Sequence, residues 1–281
     1  VSAANYDLAA TLNSGQAFRW QQDDSGWHGV VGNRWVRLRK EGDSIVAETT
    51  GPIDDWRWLE DYLQIGVDLP CVLATFPTDN AMCAAVEACR GLRLLRQEPW
   101  ECLASFICSS TKQIVQIRQI IGLLCERFGE PLKVPAGSTP AFGFPSAARL
   151  AAVSEDELRR CKMGFRARYL LQTAGMVASG KLSLGALRSL AAPEVRERLM
   201  VLPGVGRKIA DCVLLFAYGF PRVFPVDIWV QRALSQLYFP SRTIPPRRLH
   251  EFADSYFGPN AGYAQQYLFH YMRVHSRREN Q

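Results

Sequence analysis

Metal and redox chemistry have little to work with in this chain. Its eight cysteines include no C-x-x-C pair and no cluster with the four histidines, which excludes a zinc finger or a thioredoxin-like motif. Cys102, Cys108 and Cys125 lie among apolar residues and read as small core fillers in a reducing compartment. No run approaches the ~18 apolar residues of a membrane span. No charged, apolar and cleavage-site succession marks a signal peptide. Internal repeats, low-complexity tracts and long tails are also missing. These absences set the expectation of a compact, monomeric, intracellular protein with no membrane partner, cytoplasmic in a prokaryote and nuclear in a eukaryote.

What is present fits a soluble globular protein. The 281 residues suffice for one large domain or two ordinary ones, and 48% are hydrophobic against 21% charged. A net charge of +6 favours a polyanionic partner, and the excess is uneven. From residue 220 onward there are eight arginines against four acids. A solvated basic face has the same composition, so charge alone leaves nucleic acid an open question.

The hydrophobic pattern divides the chain. Arg34 to Arg39 alternates polar and apolar residues, and Ser44 to Thr50 is rich in β-branched ones, so residues 1 to about 50 are predicted to form strands. Gly32-Asn33 and Glu41-Gly42-Asp43 supply the turns. Helical spacing at 54–63 and 80–89 completes an N-terminal α/β domain over 1–98. Residues 99–281 read as a helical domain. Ile114, Ile117, Ile121 and Leu124 share one face, Ser154 and Glu157 form a capping box, and Pro193 opens a later helix. The fold class is therefore α+β: an antiparallel sheet domain packed on an all-α domain.

Chemistry concentrates between Leu199 and Asp227. Pro203-Gly204-Val205-Gly206 falls between two helices, at about 193–219 in all. Gly204 and Gly206 lack a Cβ and let backbone approach a phosphate, and the unpaired N–H groups opening the second helix suit an anion. Such contacts position DNA without reading its sequence. An ordinary helix–helix turn uses the same residues. Lys208 follows in the first turn of an otherwise apolar helix. The positive helix end and burial both destabilise an ammonium there, which frees a nucleophilic amine; a phosphate contact is the plainer role. Cys212 lies one turn on, on the same face. Asp227 reads as an N-cap for the helix that starts at Ile228, a role compatible with stabilising positive charge or taking a proton from Lys208.

These residues carry a resemblance. Leu-Pro-Gly-Val-Gly-x-Lys-x-Ala-Asp-Cys followed by Phe224-Pro225-Val226-Asp227 resembles the 8-oxoguanine DNA glycosylases of the helix-hairpin-helix superfamily. The likeness extends through Ser14-Gly15-Gln16-Ala17-Phe18-Arg19-Trp20, Leu94 to Gln97, Glu101 to Leu103, Phe106 to Ser110, Arg166 to Tyr169 and Ala261 to Gln265, in family order. It implies a TBP-like N-terminal sheet and a bifunctional repair enzyme acting on double-stranded DNA that contains 8-oxoguanine. The damaged base would be flipped out of the duplex. Lys208 would attack the sugar C1′ and form a Schiff base, whose β-elimination nicks the strand, and Asp227 would stabilise the oxocarbenium-like transition state. Gly15 would offer its carbonyl to the N7–H that guanine lacks, Gln265 would read the Watson–Crick edge, and Phe269 and Cys212 would sandwich the base. Core packing is the plainer role for Phe269, as is filling for Cys212. The resemblance also implies a hairpin cation, monovalent or divalent, on the backbone carbonyls of Met200, Leu202 and Val205. No cofactor is required for catalysis, and no cysteine follows Asp227 to hold the iron–sulfur cluster of some relatives.

The chain departs from the family at the DNA-facing positions. Thr111 stands for an asparagine that fills the vacated space, and Gln116 for an arginine that reads the opposite cytosine. Arg166 keeps a second cytosine-reading arginine. Phe165 replaces a tyrosine wedge, and Trp229 a phosphate-binding histidine. Weaker discrimination of the opposite base is expected. Two other readings stay open: an alkylpurine glycosylase on the same fold, and a non-catalytic DNA-binding hairpin protein. The first generally uses the aspartate without the lysine, and the second needs neither.

Overall fold

The computed structural model describes residues 1–240 and 244–278, with the side chains of 246 and 275–278 left aside. Arg242 and the side chains of Arg277 and Arg278, counted in the basic excess, fall outside that description. The chain opens with helix α1 (Leu8–Asn13), capped by Asp7, whose carboxylate accepts the Ala10 N–H at 2.8 Å. Its short apolar run lay inside the predicted strand region. Strands β1 (Gln21–Asp23), β2 (Gly26–Val31), β3 (Arg34–Glu41) and β4 (Ser44–Thr49) follow. They form one antiparallel meander in the order β1-β2-β3-β4. The expected turns join the strands: Gly32 and Gly42 both take positive φ, which two-residue hairpin turns demand. Register places Trp27 opposite Leu38 and Lys40 opposite Ile45. Leu38 and Ile45 are fully buried, each contributing roughly 2 kcal/mol. They join Leu12, Trp20, Leu59 and Leu63 in a small core under the sheet.

Helices α2 (Arg57–Leu63), α3 (Leu69–Leu73) and α4 (Asn80–Ala88) complete the N-terminal third. Their allegiance is split. Leu59 and Leu63 serve the small core, whereas Leu69, Phe76, Met82 and Ala85 belong to the large helical core. Two hydrophobic centres thus meet within the first hundred residues, and the chain crosses between them before α5 (Pro99–Ser109) begins. Arg96 and Gln97 pin that crossing. The Arg96 guanidinium donates to the Leu215 carbonyl at 3.1 Å, and the Gln97 N–H to the Phe216 carbonyl at 2.8 Å.

The rest is helical: α6 (Ile114–Phe128), α7 (Ala147–Ala151), α8 (Glu155–Leu158), α9 (Arg166–Ala178), α10 (Ala192–Met200), α11 (Arg207–Val213), α12 (Ile228–Tyr238), α13 (Pro246–Tyr256) and α14 (Ala261–Arg278). The anticipated capping box at Ser154 and Glu157 is present, with bonds in both directions. Pro193 sits in the first turn of α10, where its missing N–H costs nothing. Helix α11 passes into a wider-wound turn over Leu214–Tyr218 and ends at left-handed Gly219. Helix α14 brings the C-terminal end of the chain back beside α4 and α12, so residues far apart in sequence share one core. None of the described helices is long and apolar enough to cross a membrane.

Candidate active site

The hairpin joins α10 to α11. Gly204 has φ +76°, and a Cβ there would meet the Tyr169 side chain at 2.8 Å, so glycine is required twice over. The Gly206 backbone is extended (φ −94°, ψ −179°), and a Cβ there would meet nothing within 4 Å. Folding does not demand glycine there, and the open space beside the α11 N-terminus is where a phosphate would come close. From below, α9 supports the turn. The Thr173 hydroxyl donates to the Pro203 carbonyl at 3.2 Å. Buried Asp211 ties the two hairpin helices together, pairing with Arg196 of α10 at 2.5 Å and with Arg207 at 3.5 Å. Burial raises its pKa and the arginines oppose that rise.

Lys208 is half-buried and points back to α5. Its Nζ donates to the Ser109 hydroxyl at 3.2 Å and stands 5.2 Å from the centre of the Phe106 ring. The Ser109 hydroxyl donates in turn to the Phe106 carbonyl at 2.7 Å. Asp227 caps α12: one carboxylate oxygen accepts the N–H groups of Trp229 (3.0 Å) and Val230 (2.9 Å). Among the described residues no ion pair joins Lys208 to Asp227. Both nevertheless act on the buried Cys212 thiol. Burial pushes its pKa up to about 12, the lysine opposes that rise and Asp227 adds to it. Cys212 is therefore a neutral, apolar side chain rather than a thiolate.

Base-selecting residues arrive from both ends of the chain. Gly15 has φ +78°, and a Cβ there would meet Ile114 at 2.5 Å and the Phe269 ring at 3.3 Å. The loop that follows α1 therefore lies directly against Phe269 on α14. Gln265, one helical turn earlier, is 4% exposed, and its side-chain carbonyl oxygen is buried without a hydrogen-bond partner. That oxygen is free to accept a hydrogen bond from a bound group. The guanidinium of Arg273 covers Phe269 at 5.3 Å. Phe18, three residues beyond Gly15, packs edge-on against Phe106 at 5.7 Å. That ring in turn carries Lys208, which links the recognition loop to the amine.

The DNA-facing positions hold one another. Phe165 is 52% exposed and meets Tyr169 edge-on, a prominence suited to a wedge. Arg166 beneath it is 3% exposed, with its guanidinium 4.3 Å from the Phe165 ring. It donates to the carbonyls of Ser110 and Met163 and to the Thr111 hydroxyl. The side chain is folded into the protein, so reading an opposite base means giving up these bonds. Gln116 is committed too: its side-chain carbonyl accepts the Gln113 N–H at 3.1 Å. Thr111 has φ +54°, a conformation that asparagine accepts far more readily than a β-branched residue. Trp229 is half-buried in the first turn of α12 beneath the Arg232 guanidinium, 5.4 Å away. Sequence reasoning missed the Ser109 and Phe106 contacts of Lys208, which join helices 99 residues apart in the chain.

Known proteins resemble this chain over nearly its whole length. Residues 1–103 match the 8-oxoguanine DNA glycosylase N-terminal domain, and residues 104–259 the HhH-GPD superfamily of base excision DNA repair proteins. The N-glycosylase/DNA lyase OGG1 of Arabidopsis thaliana is 32% identical, over 93% of this chain and 76% of its own length. The N-glycosylase/DNA lyase of Saccharomyces cerevisiae is 31% identical, over 85% of this chain and 70% of its own. The Clostridium acetobutylicum 8-oxoguanine glycosylase/lyase, solved with double-stranded DNA carrying cytosine opposite 8-oxoG, superposes with a TM-score of 0.92. It is 30% identical and covers 97% of this chain and 93% of that one. Together with the Lys208–Asp227 hairpin site, these matches show that the chain belongs to the 8-oxoguanine DNA glycosylase/lyase family.

Proposed function

We infer that the chain is a bifunctional base-excision repair enzyme that removes 8-oxoguanine from double-stranded DNA and nicks the strand at the resulting abasic site. The observation that carries the substrate is the Gln265 carbonyl, buried without a partner one turn from Phe269, whose ring lies against the Gly15 loop. The Watson–Crick edge of a guanine-type base offers N1–H and N2–H donors to that oxygen. Adenine offers an acceptor at N1. The Gly15 carbonyl adds the second test by accepting the N7–H of 8-oxoguanine. With guanine two acceptors would face each other, a mismatch worth about 1–3 kcal/mol.

In this reading the Lys208 amine attacks C1′ as the C1′–N9 bond breaks and the base departs. Loss of a proton from nitrogen and opening of the sugar leave a Schiff base. Removal of a C2′ proton then expels the 3′ phosphate. Asp227, held by two backbone N–H groups, stabilises the positive charge that develops at the sugar and takes the proton from the attacking amine. The hairpin supplies DNA grip at Gly204 and Gly206. The carbonyls of Met200, Leu202 and Val205 are neutral, hard oxygens, a donor set that would suit a monovalent or divalent hard cation. The Val205 N–H already closes the turn onto the Leu202 carbonyl at 3.1 Å. Such an ion would bridge the hairpin to a DNA phosphate. The enzyme works where DNA is: the cytoplasm of a prokaryote or the nucleus of a eukaryote.

The test is incubation with a duplex containing 8-oxoguanine opposite cytosine, in the presence and absence of borohydride. Release of free 8-oxoguanine together with a trapped covalent adduct supports the reading. Release without an adduct describes a glycosylase that does not use Lys208 as nucleophile; neither product describes a binding module or an alkylpurine glycosylase, which a second duplex carrying an alkylated purine tells apart. Opposite-base choice is a separate expectation. With Gln116 capping a helix and Arg166 the sole remaining arginine reader, preference for cytosine falls short of a few hundred-fold, roughly the worth of one base contact. Rates opposite C, A, G and T measure it directly, and a larger preference refutes it.

A further inference from the structure

Gly15 would read the base through its backbone carbonyl, which lies in the peptide plane leaving Gly15, so its aim depends on how the chain is held on both sides of that residue. Glycine itself confers no rigidity there, because it accepts a wide range of φ and ψ. Side chains on both sides supply it, among them Gln97, whose amide donates to the Gln16 carbonyl at 2.7 Å. Gln16 fixes the far side: its amide donates to the Thr11 and Arg93 carbonyls at 3.1 and 2.8 Å and accepts the Leu95 N–H at 2.7 Å. On the near side, the Ser14 carbonyl, part of the rigid peptide plane that leads into Gly15, accepts the side-chain N–H of Gln266 at 2.9 Å. Gln266 is 2% exposed, and the bond joins residues 252 apart in the chain.

Position on α14 makes this contact more than a loop anchor. Gln265 and Gln266 are consecutive, so their side chains leave the helix about 100° apart. One side chain keeps its buried carbonyl oxygen unpaired, while the next grips the loop that carries the other reader. Phe269 follows a turn later, in contact with Gly15. We propose that Gln266 is a positioning residue for base selection: it sets the Gly15 carbonyl at a fixed distance from Gln265 and Phe269, so that N7–H and the Watson–Crick edge are read together. This inference rests on the 8-oxoguanine reading of the site.

The test separates base reading from the chemistry that follows. Gln266→Leu and Gln266→Glu are assayed on a duplex with 8-oxoguanine opposite cytosine and on one with a preformed abasic site. Nicking of the abasic site needs Lys208 and the hairpin but no base reader. Gln266→Leu is expected to lower kcat/KM for 8-oxoguanine excision about 10- to 100-fold, the worth of one buried hydrogen bond, with abasic-site nicking within about twofold of wild type. Gln266→Glu keeps the length of the side chain. Its carboxylate cannot donate to the Ser14 carbonyl, whereas the protonated carboxyl can. The ratio of excision to nicking in that variant should therefore recover as pH is lowered, which a general loss of packing would not produce. Unchanged excision, or an equal fall in both activities with no recovery at low pH, overturns the proposal. A wild-type enzyme that nicks abasic sites but leaves 8-oxoguanine in place overturns the substrate reading and this inference with it.

Discussion

Lys208→Gln is expected to abolish the borohydride-trapped adduct and to cut base excision and strand nicking by about three to six orders of magnitude. A glutamine amide has no lone pair available for attack on C1′, so no Schiff base forms and β-elimination has no imine to drive it. Folding should survive. Lys208 is half-buried, and its one hydrogen bond runs to the Ser109 hydroxyl, which a glutamine amide can also meet. The apolar anchors of α11, Ile209, Ala210 and Val213, are untouched. A thermal midpoint close to wild type, with DNA affinity retained, would place the loss in the chemistry. An adduct that persists in this variant would show that another amine is the nucleophile.

Asp227→Asn should lower excision by about 10²- to 10³-fold, a loss of the size seen when one preorganised charge-stabilising group is removed. Its stability should stay within a few tenths of a kcal/mol, because an asparagine oxygen caps a helix about as well as a carboxylate. The cap is observed directly, with the N–H groups of Trp229 and Val230 both donating to one oxygen. Asp227→Ala removes charge and cap together. It should match the asparagine variant in activity and lose about 1 kcal/mol more in stability. The pair of variants divides the two roles of one side chain, read from excision rates and from chemical denaturation. Wild-type excision by the asparagine variant would leave Asp227 as a cap only.

Much of this layout was legible in the sequence because the signals were local. The Pro203–Gly206 hairpin, the Asp227 cap and the Ser154 box each involve residues within a turn or two of one another, where residue type maps onto backbone geometry. The β2–β3 and β3–β4 turns were visible for the same reason. What failed to show was either short or distant. Helix α1 spans six residues, too few for a helical period to emerge from a strand-rich region. Arg166 looked available to DNA because sequence assigns no partners to a long polar side chain, and the structure gives it intramolecular bonds.

By itself, the sequence determined the fold class, the hairpin with its adjoining lysine and aspartate, and the family. These follow from short-range backbone preferences and from motifs whose order along the chain is preserved. Tertiary structure alone decided how those parts act together. It placed Lys208 on Ser109 and Phe106, brought Gly15 against Phe269, and left the Gln265 carbonyl unpaired while Gln266 gripped Ser14. Each of these pairings joins residues about a hundred or more positions apart. They are set by which helices bury their apolar faces together, a collective property of the core that no local stretch of sequence encodes.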